Sequence, residues 1–468
     1  GGTGGGGGAA TVDAQEQSPF MIDLMATNEA ERHAKLLKMV SEHAGDCLGF
    51  VGDIDVNRGL FELGFDSLTA IDFKTTLDET LGCELSSTLA FDYPSISAIA
   101  THLNDTVVPK LLAKATASTA GAASAGPSLS SNEPVAIIGT GVRFAGSVNS
   151  PSDFWDVLSQ GKDCITIGPV GRWNVDEHFD ADQDKPGVSY SKWGGFIDDV
   201  DMFEPKFFNI SAREAASMDP QQRLLMECSF HALEDAGVAP NTLKDELVGV
   251  FVGIGTSDYS RLIGAPGHFD EMDAYFGTGN SHSVASGRVS FFLGAQGPSV
   301  AVDTACSSSL VSVHLATQSI RQSECWMSLA GGVNLMLAPE VNVNLSKAHM
   351  LSPDGRCHTY DASANGYVRG EGCGMVVLKA LSQAESSMDN ILAVLRGCAI
   401  NHDGQSSGLT VPNGPSQQTV ISAAQRNAEV TPHDISCIES HGTGTKLGDP
   451  IEINSLTEVF AGRPADKP

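Results

Sequence analysis

The chain has 468 residues, with 57 Asp and Glu against 28 Lys and Arg, a formal net charge of −29. Neutralising nucleic-acid phosphates needs the opposite balance, so no nucleic-acid partner is expected. Hydrophobic residues make up 41% and charged residues 18%, the composition of folded domains, and no apolar run is long enough for a membrane span. The ten cysteines form no CxxC pair and no metal-type spacing. No metal is therefore expected, and the thiols read as free and mostly buried, in a reducing compartment, with one exception developed below. No basic stretch followed by an apolar core opens the chain, and its location is expected to be the cytoplasm or an organellar stroma. Because it starts at Gly1 without Met and stops in a polar stretch at Pro468, it reads as a piece of something longer.

In chain order, residues 1–27 read as a Gly-rich linker. Residues 28–108 carry 14 acids against five bases, a net charge of −9. Leu36, Leu37, Met39 and Val40 share a helical face within 29–44. Ala70, Phe73, Leu77 and Leu81 mark a second helix over 66–81, with Gly82 placed to end it. A third fits 95–103, entered through Pro94, and no alternating strand pattern appears. Ser67 stands at the start of the second helix, just after Asp66. As caps alone, Asp and Ser are ordinary there. The surrounding LeuPheGluLeuGlyPheAspSerLeu (60–68) and AlaPheAspTyrProSerIle (90–96) say more: the segment resembles an acyl or peptidyl carrier protein. That resemblance implies a small all-α four-helix bundle and a covalent 4′-phosphopantetheine on Ser67, with a phosphopantetheinyl transferase as partner. A phosphate at a helix N-terminus meets free N–H groups and the positive end of the helix dipole. The acidic surface suits docking onto basic patches.

Residues 109–133 read as an Ala/Ser/Gly linker, and 134–468 as one large domain. Beyond 133, continuous apolar runs at 135–139, 248–254, 299–303, 327–333, 375–378 and 391–395 alternate with helical stretches such as 219–236 and 307–322. Such runs mean a sheet buried on both faces, hence α/β. No P-loop pattern occurs, and 139–145 fails GxGxxG.

SerValAlaValAspThrAlaCysSerSerSerLeu (299–310) places Cys306 between a buried strand and a helix, the geometry of a nucleophile elbow. A helix N-terminus favours an anion such as a thiolate there. A lone Cys is more often a small buried residue. This one has a candidate partner: His441, between glycines in GluSerHisGlyThrGlyThrLysLeuGlyAspPro (439–450), just after a short apolar strand expected at 435–438.

Together these motifs resemble the ketosynthase of type I polyketide and fatty-acid synthases, a layered α/β thiolase-like fold. Supporting matches are MetAspProGlnGlnArgLeuLeuMetGlu (218–227), TyrValArgGlyGluGlyCysGlyMet (367–375) and GlyLeuThrValProAsnGly (408–414). The resemblance implies that Cys306 takes an acyl chain as a thioester and that His441 helps decarboxylate the extender. It implies that Thr443 and Thr445 touch the pantetheine arm of an incoming carrier, with Glu371 in support. The reaction is decarboxylative Claisen condensation, the enzyme an acyltransferase of the 3-oxoacyl-[acyl-carrier-protein] synthase type. Its partners are acyl and malonyl-type thioesters on carriers, and it forms a homodimer. Carrier followed by ketosynthase is the order at a module boundary, so Ser67 is expected to load Cys306 through the flexible linker, whose 25 residues span roughly 28 Å as a random coil.

The family also has a second histidine in a LysSerAsnIleGlyHis-like motif and a Gly-rich Phe loop. Neither occurs before Pro468, so the thiolase-like fold is expected to be incomplete at its C-terminus and this chain by itself a poor condensing enzyme, with sheet edges uncovered. Two other readings compete: a carrier and interaction module beside a non-elongating ketosynthase, and a cysteine hydrolase using Cys306 and His441. No papain or caspase signature surrounds either residue.

Overall fold

The computed structural model describes residues 20, 23–24, 27–49, 54–65, 67–83, 85–86, 89–109, 132–169, 171–265, 269 and 272–463. Asp66, the side chain of Ser67, nearly all of 1–27 and most of 109–133 lie outside the described residues. Two compact units divide the chain, residues 1–127 and 128–468.

The first unit is helical: Glu29–Leu48, Ser67–Leu81, Leu89–Asp92 and Ile96–His102. Asn28 caps the first helix by accepting the Glu31 N–H at 3.1 Å, and Gly49, at φ 62°, ends it. A left-handed residue is what stops a helix cheaply, so the helix runs past the expected Ala44 to the first such glycine. Ser95 caps the last helix through the Ala98 N–H at 3.2 Å. Leu36, Met39, Val40 and Ala44 pack against Phe73, Leu77 and Leu81 in one core. Each fully buried Leu or Phe of this kind contributes roughly 1.5–3 kcal/mol. The Leu89–Asp92 turn is too short for periodicity to reveal. Ile71, on the second helix, is 58% exposed.

The second unit is built on strands β1 (Val135–Phe144), β2 (Thr166–Ile167), β3 (Trp193–Gly194), β4 (Val248–Gly253), β5 (Ser299–Val302), β6 (Met327–Asn334), β7 (Gly372–Ala380) and β8 (Ala393–Leu395). Six of them form one sheet in the order β5-β4-β6-β7-β1-β8. β5, β4 and β6 run parallel, while β7 is antiparallel to both β6 and β1. On one face, Val248, Val250, Val252, Met375 and Val377 meet Leu224, Leu225 and Cys228 of the Pro220–Asp235 helix. On the other, Phe251, Ala330 and Leu378 meet Ala316 and Ile320 of the Ser308–Arg321 helix. Burial on both faces explains the continuous apolar runs.

Two expectations are corrected. Residues 435–438 form no strand: a ladder needs a neighbour for its N–H and C=O groups, and no described strand runs beside them. The cysteines are not mostly buried. Cys228, Cys325 and Cys373 are, packed against the sheet, whereas Cys357 and Cys437 are exposed like Cys306. Both sit in loops, where a small thiol has no sheet to press on. No helix among the described residues is long and apolar enough to cross a membrane.

Candidate active site

The Cys306 turn is made by short polar side chains. After β5, the Ala305 N–H donates to Asp303 Oδ1 at 2.9 Å, and the Thr304 N–H donates to Ser308 Oγ at 2.9 Å. The Ser308 hydroxyl donates to the Ala305 carbonyl at 2.7 Å, and that of Ser307 to the Thr304 carbonyl at 3.0 Å. These bonds bend the chain so sharply that Ala305 takes φ 55°, a cost the local network must cover. Residues 305–307 form one 3-10 turn, and the Ser308–Arg321 helix follows directly. Cys306 is exposed at this junction. Glycines bring the helix onto the sheet: a Cβ on Gly253 would stand 2.6 Å from Ser308 C, and one on Gly332 2.9 Å from Ser309 Cβ.

The His441 loop is held differently. The His441 and Gly442 N–H groups donate to the two carboxylate oxygens of Glu452, at 2.6 and 2.9 Å. The Gly444 N–H donates to Asp449 Oδ1 at 3.0 Å, and the Tyr360 N–H to Asp449 Oδ2 at 2.7 Å. Both acids belong to the Gly448–Val459 helix. Gly442 and Gly444 take φ 54° and 70°, and a Cβ on Gly442 would meet Thr359 Cγ2 at 2.8 Å, so glycine is required there. Thr443 Oγ1 and Thr445 Oγ1 lie 2.9 Å apart.

Cys306, His441, Thr443 and Thr445 line one cleft of about 1070 Å³. Tyr367 lines it too, and its hydroxyl is pushed up by burial first and then by the nearby Cys306. The sequence reading missed Tyr367, Cys357, Asp449 and Glu452. The last two follow the His motif within a turn or two of helix, and a carboxylate spaced to face a Gly-rich loop was the available signal.

Glu371 does not line this cleft. Its side chain is fully buried and pairs with Arg172 at 3.1 Å, while its two oxygens accept the Ile197 and Met336 N–H groups, each at 2.8 Å. It clasps the 172, 197 and 336 segments together. Of the carrier residues, Asp66 is outside the described residues; Ser67 is the first residue of the Ser67–Leu81 helix, which has no acidic residue in its first turn. Among the described residues of that first turn no carboxylate stands against a phosphodiester, so the helix start fits the phosphopantetheine group. Among the described residues no cluster of His, Cys, Asp or Glu is arranged to hold a metal ion.

A helix-flanked mixed sheet with a strand-to-helix cysteine facing a glycine-bound histidine is the arrangement of a thiolase-like condensing domain. Residues 132–384 match the N-terminal domain of β-ketoacyl synthase, 392–468 its C-terminal domain, and 40–103 a phosphopantetheine attachment site. The chain belongs to the β-ketoacyl synthase family, with a phosphopantetheine-bearing carrier domain ahead of the synthase. It is 44% identical over 459 residues to polyketide synthase GfsA of Streptomyces halstedii, covering 97% of this chain and 6% of that protein. It is 43% identical to the pikromycin polyketide synthase component PikAII of Streptomyces venezuelae, covering 98% of this chain and 12% of that one. It thus spans about a tenth or less of these relatives' length. Among solved structures, the oxazolomycin ketosynthase domain of Streptomyces albus JA3453 is 39% identical at a TM-score of 0.68, covering 71% of this chain and 57% of that one. The ketosynthase from module 6 of the bacillaene synthase of Bacillus subtilis 168 is 39% identical at a TM-score of 0.64, covering 72% of this chain and 55% of that one.

Proposed function

We propose that this chain elongates polyketide or fatty acyl chains by decarboxylative Claisen condensation, as a 3-oxoacyl-[acyl-carrier-protein] synthase type of acyltransferase acting in the cytoplasm or an organellar stroma. The observation that carries this is the shared cleft: Cys306 on its elbow and His441 on its glycine loop, in a chain that also bears a carrier domain. Ser67 is the attachment point for 4′-phosphopantetheine, which when bound supplies a flexible thiol that holds acyl groups as thioesters.

Cys306 attacks the incoming acyl carbonyl as a thiolate. A new C–S bond forms, the old one breaks, and the departing thiol takes up the proton. A malonyl-type extender then loses CO2, and the electron pair left behind becomes an enolate. His441 donates a hydrogen bond to the thioester oxygen where that charge gathers, and a donor already aimed there costs no reorganisation. The enolate carbon attacks the Cys306 thioester, and the Cys306 thiolate leaves. Thr443 and Thr445 steady the arm of the carrier that brings the extender. Glu371 acts at a distance, as a positioning residue.

A homodimer is part of this proposal. β5 is an edge strand of the sheet, and Phe291, on the helix packed beside it, is 88% exposed. An open edge next to an exposed aromatic supports pairing with a second copy.

The test is transfer. With Ser67 loaded by a phosphopantetheinyl transferase and a synthetic acyl-coenzyme A, intact-mass and peptide mass spectrometry should find the acyl group moving to Cys306. Cys306→Ala should leave it on Ser67. An acyl group that never reaches Cys306 in the loaded protein would reject the proposal.

A further inference from the structure

Ten non-glycine residues among those described have positive φ, and His349 is the one of them that lines the Cys306 cleft, at φ 52°. That backbone is uncommon outside glycine, though histidine takes it more readily than most. It follows the Glu340–Lys347 helix after one residue, Ala348, with the His349 N–H donating to the Ser346 carbonyl at 3.0 Å. The imidazole lies nearly parallel to the Tyr190 ring, 6.2 Å between centroids and 20° between planes. Tyr190 is pinned in turn, its hydroxyl donating to the Leu351 carbonyl at 2.9 Å. His349 is exposed to the cleft, and among the described residues its ring nitrogens make no hydrogen bond.

This residue is tied to the nucleophile's side of the cleft. The Tyr367 N–H donates to the Met350 carbonyl at 3.0 Å, and Tyr367 lines the cleft together with Cys306. Gln183 and Tyr190 extend the same polar wall. A saturated chain laid along it would strip water from the imidazole and return nothing, whereas an oxygen substituent would replace the lost hydrogen bond.

We propose that His349 is a specificity-determining residue: it hydrogen-bonds a hydroxyl or keto oxygen on the acyl chain held by Cys306, so the cleft selects oxygenated acyl chains over saturated ones. The inference rests on the reading of Cys306 as acyl acceptor.

The experiment compares two equal-length pantetheine thioesters, 3-hydroxyhexanoyl and hexanoyl, and follows acylation of Cys306 by intact mass. His349→Gly suits the positive φ and should fold. Its ratio of hydroxyacyl to acyl rates should fall about fivefold relative to the parent protein. His349→Asn, which also tolerates this backbone and keeps a hydrogen-bonding side chain, should retain much of the ratio. An unchanged ratio in His349→Gly, with Cys306 acylated by both thioesters, overturns this inference and leaves the assigned nucleophile standing. Absence of acylation by either thioester overturns the nucleophile, and the inference with it.

Discussion

The two sides of the cleft reach the same precision by opposite routes. The Cys306 turn supports itself: its hydrogen bonds run among Asp303, Thr304, Ala305, Ser307 and Ser308. The His441 loop has little of its own. It hangs from Asp449 and Glu452 on the following helix and from Thr359, whose hydroxyl donates to the Gly442 carbonyl at 2.6 Å. One half is a local motif resting on the sheet; the other is a glycine segment stiffened by one buried carboxylate, Asp449, and one half-buried, Glu452. The two halves should therefore fail separately.

The largest loss of stability should come from a residue outside both halves, Glu371. Glu371→Ala leaves the mostly buried Arg172 without its carboxylate, with only the Ile197 carbonyl to accept from it, and two backbone N–H groups without an acceptor, and should cost about 3–5 kcal/mol in urea unfolding. A loss below about 1 kcal/mol would mean that the clasp is not what holds the 172, 197 and 336 segments.

Next, Asp449→Ala removes the acceptor of two backbone N–H groups, one buried and one partly buried, and should cost about 2–4 kcal/mol. Hydrogen exchange should rise across 441–445, while the rate of Cys306 alkylation by iodoacetamide stays as it was. A parallel loss of Cys306 reactivity would break the claimed independence.

Gly253→Ala should do the reverse. Its Cβ would press on Ser308, for about 1–3 kcal/mol of overpacking. Cys306 alkylation should change while protection of the His441 loop persists.

The smallest effect belongs to Asp354, next in sequence to the cleft-lining Pro353. Hydrogen bonds from Ser352 first and His358 second hold its carboxyl at about 2. A carboxyl held low in the fold stabilises it above the ordinary carboxylate range and loses that contribution as pH falls toward about 2. The side chain is 52% exposed, so solvent screening keeps the gain under about 1 kcal/mol. The melting-temperature gap between the parent protein and Asp354→Asn should hold steady above about pH 4 and close below it. A gap that widens on acidification would reverse the assigned sign.

Much of this was legible beforehand where the signal is local. The strands at 248–253 and 327–334 fall within one residue of the apolar runs, because a strand buried on both faces has no polar face to blur its ends; β5, expected to be buried, lies instead at the sheet edge with Ser299 exposed and 300–302 half-buried. The expected strand at 435–438 failed because apolar content does not supply a pairing partner. Cys357 shows the same limit: nothing in its flanking residues distinguishes a cleft-lining thiol from a buried one. His349 was invisible because its importance lies in the cleft it lines and in its stack on Tyr190, a contact far along the chain.

The sequence alone determined the pieces: a cysteine turn whose short Ser and Thr side chains make their own hydrogen bonds, a histidine between glycines, a helix opened by Ser67, and two folding units. Hydrogen bonds and backbone preferences within a few residues suffice for those. Only the tertiary structure decided that Cys306 and His441 share a cleft, that Glu371 clasps the 172, 197 and 336 segments instead of lining it, and that His349 joins the lining. Those outcomes depend on which surfaces the sheet and helices bury together, a choice made by packing across the whole unit.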